Sequence, residues 1–117
     1  MHVDAFMFGS ITIDGQRYPH DVVVEEGRIR KRRKGPSKPR RAEFGHTPLT
    51  AAETLPLSGG RLWIGTGAHG LLPVAEDVRE AAQRHGVELL LEPTGKLLER
   101  INAGVPPHTG IVIHVTC

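Results

Sequence analysis

The amino-acid sequence predicts an α/β fold, with β-hairpins in its N-terminal part and a βαβαβ arrangement in its C-terminal half. Three observations carry this prediction. Short β-prone runs meet Asp14-Gly15 and Glu26-Gly27 turns within the first 33 residues. Leu62-Trp63-Ile64 is consecutively apolar, as expected of a strand covered on both faces, and runs into the glycine-rich bend Gly65-Thr66-Gly67. Beyond the bend, helical periodicity alternates with apolar strand-like runs.

Taken in order, Ile11-Thr12-Ile13 alternates and meets Asp14-Gly15 before Gln16-Arg17-Tyr18, a hairpin signature. Val22-Val23-Val24 is β-branched, and Arg28-Ile29-Arg30 pairs back across Glu26-Gly27, with Ile29 inward and both arginines toward water. Lys34-Gly35-Pro36-Ser37-Lys38-Pro39 reads as a flexible loop, because two prolines remove backbone donors and like charges repel. Thr50-Ala51-Ala52-Glu53 has the spacing of a capping box, with Thr47-Pro48 an alternative start one turn earlier; either predicts a short helix ending near Leu55, before Pro56.

The clearest helix runs from Ala75 to His85, with Glu76 and Asp77 at its positive end, Gly86 past its other end, and Val74, Val78, Ala81 and Ala82 on one face. Val87 to Leu91 is the next strand, closed by Pro93. Thr94 is a candidate cap for a second helix that turns Leu97, Leu98 and Ile101 inward and stops at Gly104. Ile111 to Thr116 is nearly all apolar and is therefore placed centrally in its sheet.

At 117 residues the chain is read as one domain, 1–117, large enough for a core without staples. Cys117 is the single cysteine, which excludes a disulfide framework and a paired-cysteine zinc site and favours a reducing compartment. The N-terminal residues lack a basic leader, and no stretch approaches the roughly 20 apolar residues of a membrane helix. The expected location is cytoplasmic, without membrane contact.

The net charge of +2 hides a strong asymmetry, since residues 28–41 carry nine basic side chains and no acid. An acidic body therefore bears a basic strap. Arg30, Lys31, Arg32, Arg33, Lys34, Lys38, Arg40 and Arg41, on a basic loop spanning about 31–43, form the candidate contact surface. Other proteins are its expected partners. Nucleic acid is an alternative, but Phe44 is the only nearby ring on which a base could stack. A solvated, self-repelling hairpin extension is the bland alternative.

Gly65-Thr66-Gly67-Ala68-His69-Gly70 matches G-x-G-x-x-G after a strand. In a dinucleotide fingerprint, however, the glycines open the helix, whereas Leu71-Leu72-Pro73 intervenes here, and the remaining chain is too short for such a fold. A tight turn with incidental anion affinity is the preferred reading; a small anion or phosphate pocket, Thr66 adding a hydroxyl to the backbone amides, is the alternative. His114 and Cys117 suggest a thiolate–imidazole dyad, yet strand alternation sets His114 with Thr116 and turns Cys117 the other way, and a terminal carboxylate would disfavour the thiolate. A buried His114 bonded to a neighbouring loop is preferred. Seven histidines without an i, i+4 pair predict no metal site, and no cofactor is expected.

Phe8-Gly9, Ile11, Ile13, Asp14-Gly15, Tyr18, Asp21, His46, Gly65-Thr66-Gly67, Thr94, Asn102 and His114-x-Thr116-Cys117 together resemble the Mth-type family of small uncharacterised domains. That family includes the adipogenesis-associated Mth-domain protein and a mitochondrial complex I assembly factor. The resemblance implies a compact three-layer domain with a mixed central sheet into which the last strand is inserted. It also implies assembly or regulatory roles without an agreed reaction. The chain departs from the family at Ile101, in the short proline-rich stretch from Asn102 to His114, and in its highly charged strap.

Alone, Asp21 reads as a turn or capping residue and Tyr18 as a core ring with its hydroxyl at the surface; the resemblance favours both, with His46, lining a pocket beside Thr66. The candidate ligand pocket therefore comprises Gly65, Thr66, Gly67, His114, Thr116, Tyr18, Asp21 and His46. The expected function is a non-enzymatic binding or assembly module acting through protein contacts. The alternative is an enzyme for a small molecule or anion, with its site at the Gly65–Gly67 bend near His114.

Overall fold

A computed structural model describes residues 1–117 and arranges eight strands in two sheets. β1 (Val3–Met7), β2 (Ser10–Ile13) and β3 (Gln16–Tyr18) form an antiparallel meander. β4 (Val22–Glu25), β5 (Arg28–Lys31), β6 (Arg61–Thr66), β7 (Glu88–Glu92) and β8 (Thr109–His114) form the larger sheet, in the order β5-β4-β8-β6-β7. β6 runs parallel to β7 and β8, whereas β4 runs antiparallel to β5 and β8. The sheet is therefore mixed, and its last strand is inserted between β4 and β6.

Both predicted hairpin turns form for a local reason. Asp14 and Gly15 take φ of 49° and 81°, and Glu26 and Gly27 take 52° and 75°. Two successive positive φ values define the turn whose twist matches the flanking strands. Registers follow directly, with Ile13 opposite Gln16 and Glu25 opposite Arg28.

Side-chain alternation divides the interior in two. Val22, Val24, Ile111 and Ile113 face Ile11 and Ile13 of β2 and Leu97, Leu98 and Ile101 of α3 (Thr94–Ala103), the half-buried Trp63 packing against this cluster. On the other face, Val23, Leu62, Ile64 and Val112 meet Val78 and Ala82 of α2 (Glu76–Arg84), together with Leu49 and Leu72. The outcome is three layers, with the large sheet in the middle. Burial of each such aliphatic side chain contributes about 1.5–3 kcal/mol. Asn102, on α3, clamps the two outer elements of the first layer: its side chain accepts from Val3 N at 2.8 Å and donates to Val3 O at 3.0 Å.

Two local expectations are corrected. The segment read as a loop is a 3-10 helix over Gly35–Arg40, followed by the single-turn α1 (Arg41–Phe44). Pro36 suits the first turn of a helix, where its missing N–H is not needed. Conversely, residues 50–53 form a turn and no helix. The Thr50 hydroxyl does accept from Ala52 N at 3.2 Å, but the Glu53 carboxylate is drawn away to Arg32 and Ser37 instead of closing a capping box. No helix is long and apolar enough to cross a membrane.

Candidate anion-binding cleft

The carboxyl end of β8 opens on a cleft of about 560 Å³ between the strap and the segment Leu71-Leu72-Pro73. Lys34, Lys38, Arg41 and His46 line it from the strap side, Arg32 lies beneath, and His114, Thr116 and Cys117 line the opposite wall. No acidic side chain lines it. Lys34, Lys38 and Arg41 are exposed and have no ion-pair partner, so three positive charges converge on one concavity. The place is the one that strand polarity favours, outside the carboxyl ends of parallel β6 and β8.

Beneath the cleft lies a fixed polar network. The Arg32 guanidinium, 2% exposed, donates to Asp21 Oδ2 at 2.9 Å, to both Glu53 oxygens at 2.8 Å and to Pro48 O at 3.0 Å. Ser37, fully buried, donates to Glu53 and meets the Thr50 hydroxyl at 2.7 Å. Burial works against both charges, but the hydrogen bonds win: those of Glu53 and Asp21 hold the Arg32 guanidinium above its ordinary value. For Asp21, hydrogen bonds from His114, the Val115 amide and Arg32 outweigh the same penalty and keep its carboxyl below the ordinary value of 3.8.

Asp21 also orients the cleft wall. His114 Nδ1 lies 2.8 Å from Asp21 Oδ2, and the Val115 amide donates to Asp21 Oδ1 at 2.9 Å. His114 Nε2 lies 3.1 Å from Thr116 Oγ1. Asp21, His114 and Thr116 thus form a continuous chain of hydrogen bonds ending at a hydroxyl in the cleft. Asp21 is not the cap or turn residue that its position suggested, and His114 meets a hydroxyl in place of the Cys117 thiol.

The glycine bend contributes differently from expectation. Its amides are already engaged: Gly67 N by Thr94 Oγ1 at 2.9 Å, Ala68 N by Thr116 O at 2.7 Å, and His69 N and Leu71 N by Cys117 O at 3.1 and 3.0 Å. No anion cradle is presented by this backbone. Gly65, Thr66 and Gly67 are buried outside the cleft, and the Thr66 hydroxyl donates to Glu92 O. Tyr18 is also elsewhere, half-buried against the β2 cluster with its ring 6.1 Å from that of His20. Of the predicted pocket, His46, His114 and Thr116 line the cleft, and Asp21 stands directly behind it.

The basic surface divides in the same way. Lys31, Arg33, Lys34, Lys38 and Arg41 are exposed. Arg32 is buried and belongs to the interior, a correction to its assignment as a contact residue. Arg30 donates to Thr54 O at 2.6 Å, and Arg40 is committed to Glu43 and Asp77. Arg40 also lies over the Phe44 ring, 5.4 Å from its centroid, and so covers one face of the ring nearest the strap.

Thr94 is the residue whose role local patterning conceals. It sits at the first position of α3 without capping it; its hydroxyl accepts from Gly67 N and donates to His114 O at 2.7 Å, which ties bend, helix and β8 together. Thr94→Val keeps the shape and strands both partners. The expected cost is about 2–6 kcal/mol, since each of the two unsatisfied buried groups costs about 1–3 kcal/mol. Urea denaturation measures it, and a change under about 0.5 kcal/mol would contradict the assigned role.

No group of three or more His, Cys, Asp or Glu side chains converges to hold a metal ion. The chain is similar over its whole length to PH1505, a conserved hypothetical protein from Pyrococcus horikoshii OT3, at 25% identity with a TM-score of 0.82 and 100% of both chains covered. It is also similar to a protein described as MT938, at 26% identity and a TM-score of 0.71, covering 99% of this chain and 98% of that one. An outer membrane protein from Bartonella henselae shares the fold at 14% identity, with a TM-score of 0.69 and coverage of 98% and 94%. No family model and no curated protein matches the chain.

Proposed function

We propose that the protein binds an anionic ligand of small-molecule size in the cleft at the end of β8. The observation that carries this reading is the convergence of Lys34, Lys38 and Arg41 on a concavity without a single acidic side chain. A volume of about 560 Å³ is that of a metabolite-sized site. The buried Asp21–Arg32–Glu53 network, two carboxylates around one guanidinium, holds the wall in place and supplies no positive charge to spare, so positive potential comes from the rim. Lys31 and Arg33, exposed beside the cleft, favour a second reading in which an acidic protein surface docks there. This second reading is the assembly module that the Mth-type resemblance implies.

Calorimetric titration separates the two. Succinate or citrate is expected to bind the wild type, and the Lys34→Gln/Lys38→Gln/Arg41→Gln variant to bind roughly tenfold or more weakly, because exposed charge pairs contribute about 0.2–1 kcal/mol each. Affinity should fall with added salt, as for any partly exposed ionic site. Lys31→Gln/Arg33→Gln should leave the small anion bound as before. A polyglutamate that binds while succinate does not would replace this reading with the docking surface.

A further inference from the structure

We propose that the Asp21–His114–Thr116 chain is a hydrolytic relay, with Thr116 as nucleophile toward a carboxylic ester that carries a second anionic group. The inference rests on the anion-binding reading of the cleft and names the substrate class for it. A carboxylate can only accept hydrogen bonds, and Asp21 accepts three, from Arg32, the Val115 amide and His114 Nδ1. The proton of a neutral His114 is thereby placed on Nδ1, which leaves Nε2 as an acceptor for the Thr116 hydroxyl 3.1 Å away. This is the nucleophile, base and orienting group sequence that activates a hydroxyl, each pair within hydrogen-bond reach.

Placement argues for chemistry over mere packing. His114 retains 13% side-chain exposure, and both His114 and Thr116 line the cleft that the three cations face. Arg32 holds Asp21 Oδ2 at 2.9 Å from the floor of the cleft, so the acid is fixed while Thr116 lines the open side. The Thr116 and Cys117 amides, adjacent to the nucleophile in the chain, make no hydrogen bond within the protein.

The steps balance with water as the co-reactant. Thr116 Oγ forms a bond to the ester carbonyl carbon as its proton passes to His114 Nε2. The bond from that carbon to the alcohol oxygen breaks, and His114 returns the proton to the departing alkoxide. Water, deprotonated by the same nitrogen, then attacks the acyl carbon; the bond from that carbon to Thr116 Oγ breaks, His114 returns the proton to Oγ, and the carboxylic acid leaves. Lys34, Lys38 and Arg41 hold the remote anionic group, so they discriminate between substrates and take no part in bond making. Asp21 is a positioning residue.

The test uses the intact chain with mono(4-nitrophenyl) succinate and with neutral 4-nitrophenyl butyrate, followed at the nitrophenolate band, and with a fluorophosphonate probe located by peptide mass spectrometry. The anionic ester is expected to react with a kcat/KM roughly tenfold or more above that of the neutral one, a preference that the triple cleft variant loses. Thr116→Val, isosteric and checked for folding by its melting curve, should lower turnover by about 100-fold or more and abolish labelling at residue 116. Asp21→Asn should lower kcat with little change in KM, which a purely structural acid would not do selectively.

Retained turnover in Thr116→Val, or probe attached to Cys117, overturns the proposal. Absence of turnover in a wild type that still binds succinate overturns the relay alone. Absence of both overturns the relay and the anion-binding reading beneath it.

Discussion

Arg32→Met should lower stability by about 3–5 kcal/mol, the cost of removing one partner from a buried ion pair, out of a total of roughly 5–15 kcal/mol for a domain of this kind. The substitution deletes four donors' worth of contacts at once: one to Asp21, two to Glu53 and one to Pro48 O. Methionine fills much of the volume, so the loss reports charge left without a partner and not a cavity. Asp21 gives the effect a pH signature. Its folded carboxyl ionises below the ordinary value of 3.8, so the stabilisation is fully present above that value and fades as pH falls through the lower folded one. Without Arg32 the burial penalty on Asp21 is less well opposed, and its carboxyl shifts upward. The wild-type advantage should therefore shrink as pH is lowered through 3.8 and below. Urea midpoints of both proteins from neutral pH down to about pH 3 measure this, since the loss falls at and below the ordinary carboxylate range; a gap that stays constant, or widens on acidification, across that whole range would refute the role given to the network.

The same network explains what local patterns reveal and what they hide. Continuous apolar runs expose β4, β6 and β8 because both faces of each are covered, and the Asp14-Gly15 and Glu26-Gly27 turns depend only on their own φ values. Thr50-x-x-Glu53 is a genuine capping pattern, but a buried guanidinium 21 residues earlier outcompetes the backbone for the Glu53 carboxylate. The strap is misread for a similar reason. Its two prolines and like charges argue for a loop, while Ser37 anchors it from within through Thr50 and Glu53.

The candidate relay is half legible. That His114 and Thr116 share a side follows from the period of a strand. That Asp21 completes them, 93 residues before His114, follows only from the antiparallel pairing of β4 with β8, where Val22 stands opposite Ile113. The cleft itself is least legible, because it is a gap between a strap and a C-terminal segment with no common sequence signal.

Gly67→Ala is expected to cost about 2–5 kcal/mol, combining about 1–2 kcal/mol for a left-handed backbone with about 1–3 kcal/mol for overpacking. Gly67 has φ of 107°, and a methyl group there would collide with the backbone carbon of Cys117 and stand 2.8 Å from Thr116 O. Both contacts are backbone, so no side chain can swing aside. Either the bend or the C-terminal segment must move, and each route breaks the bonds from Ala68, His69 and Leu71 to Thr116 O and Cys117 O. Because those bonds hold Thr116 in the cleft wall, a displaced segment should also weaken anion binding and remove Thr116 Oγ1 from His114 Nε2. Hydrogen exchange distinguishes a local from a global response: the amides of Ala68, His69 and Leu71 should lose protection far more than those of β4, where Val22 to Val24 lie in the central layer. Gly15→Ala, at an exposed hairpin turn with open space around it, shares the positive φ without the clash. It should cost only the backbone contribution of about 1–2 kcal/mol. If the two substitutions prove equally damaging, steric closure of the bend by the C-terminal segment is not what glycine provides at position 67.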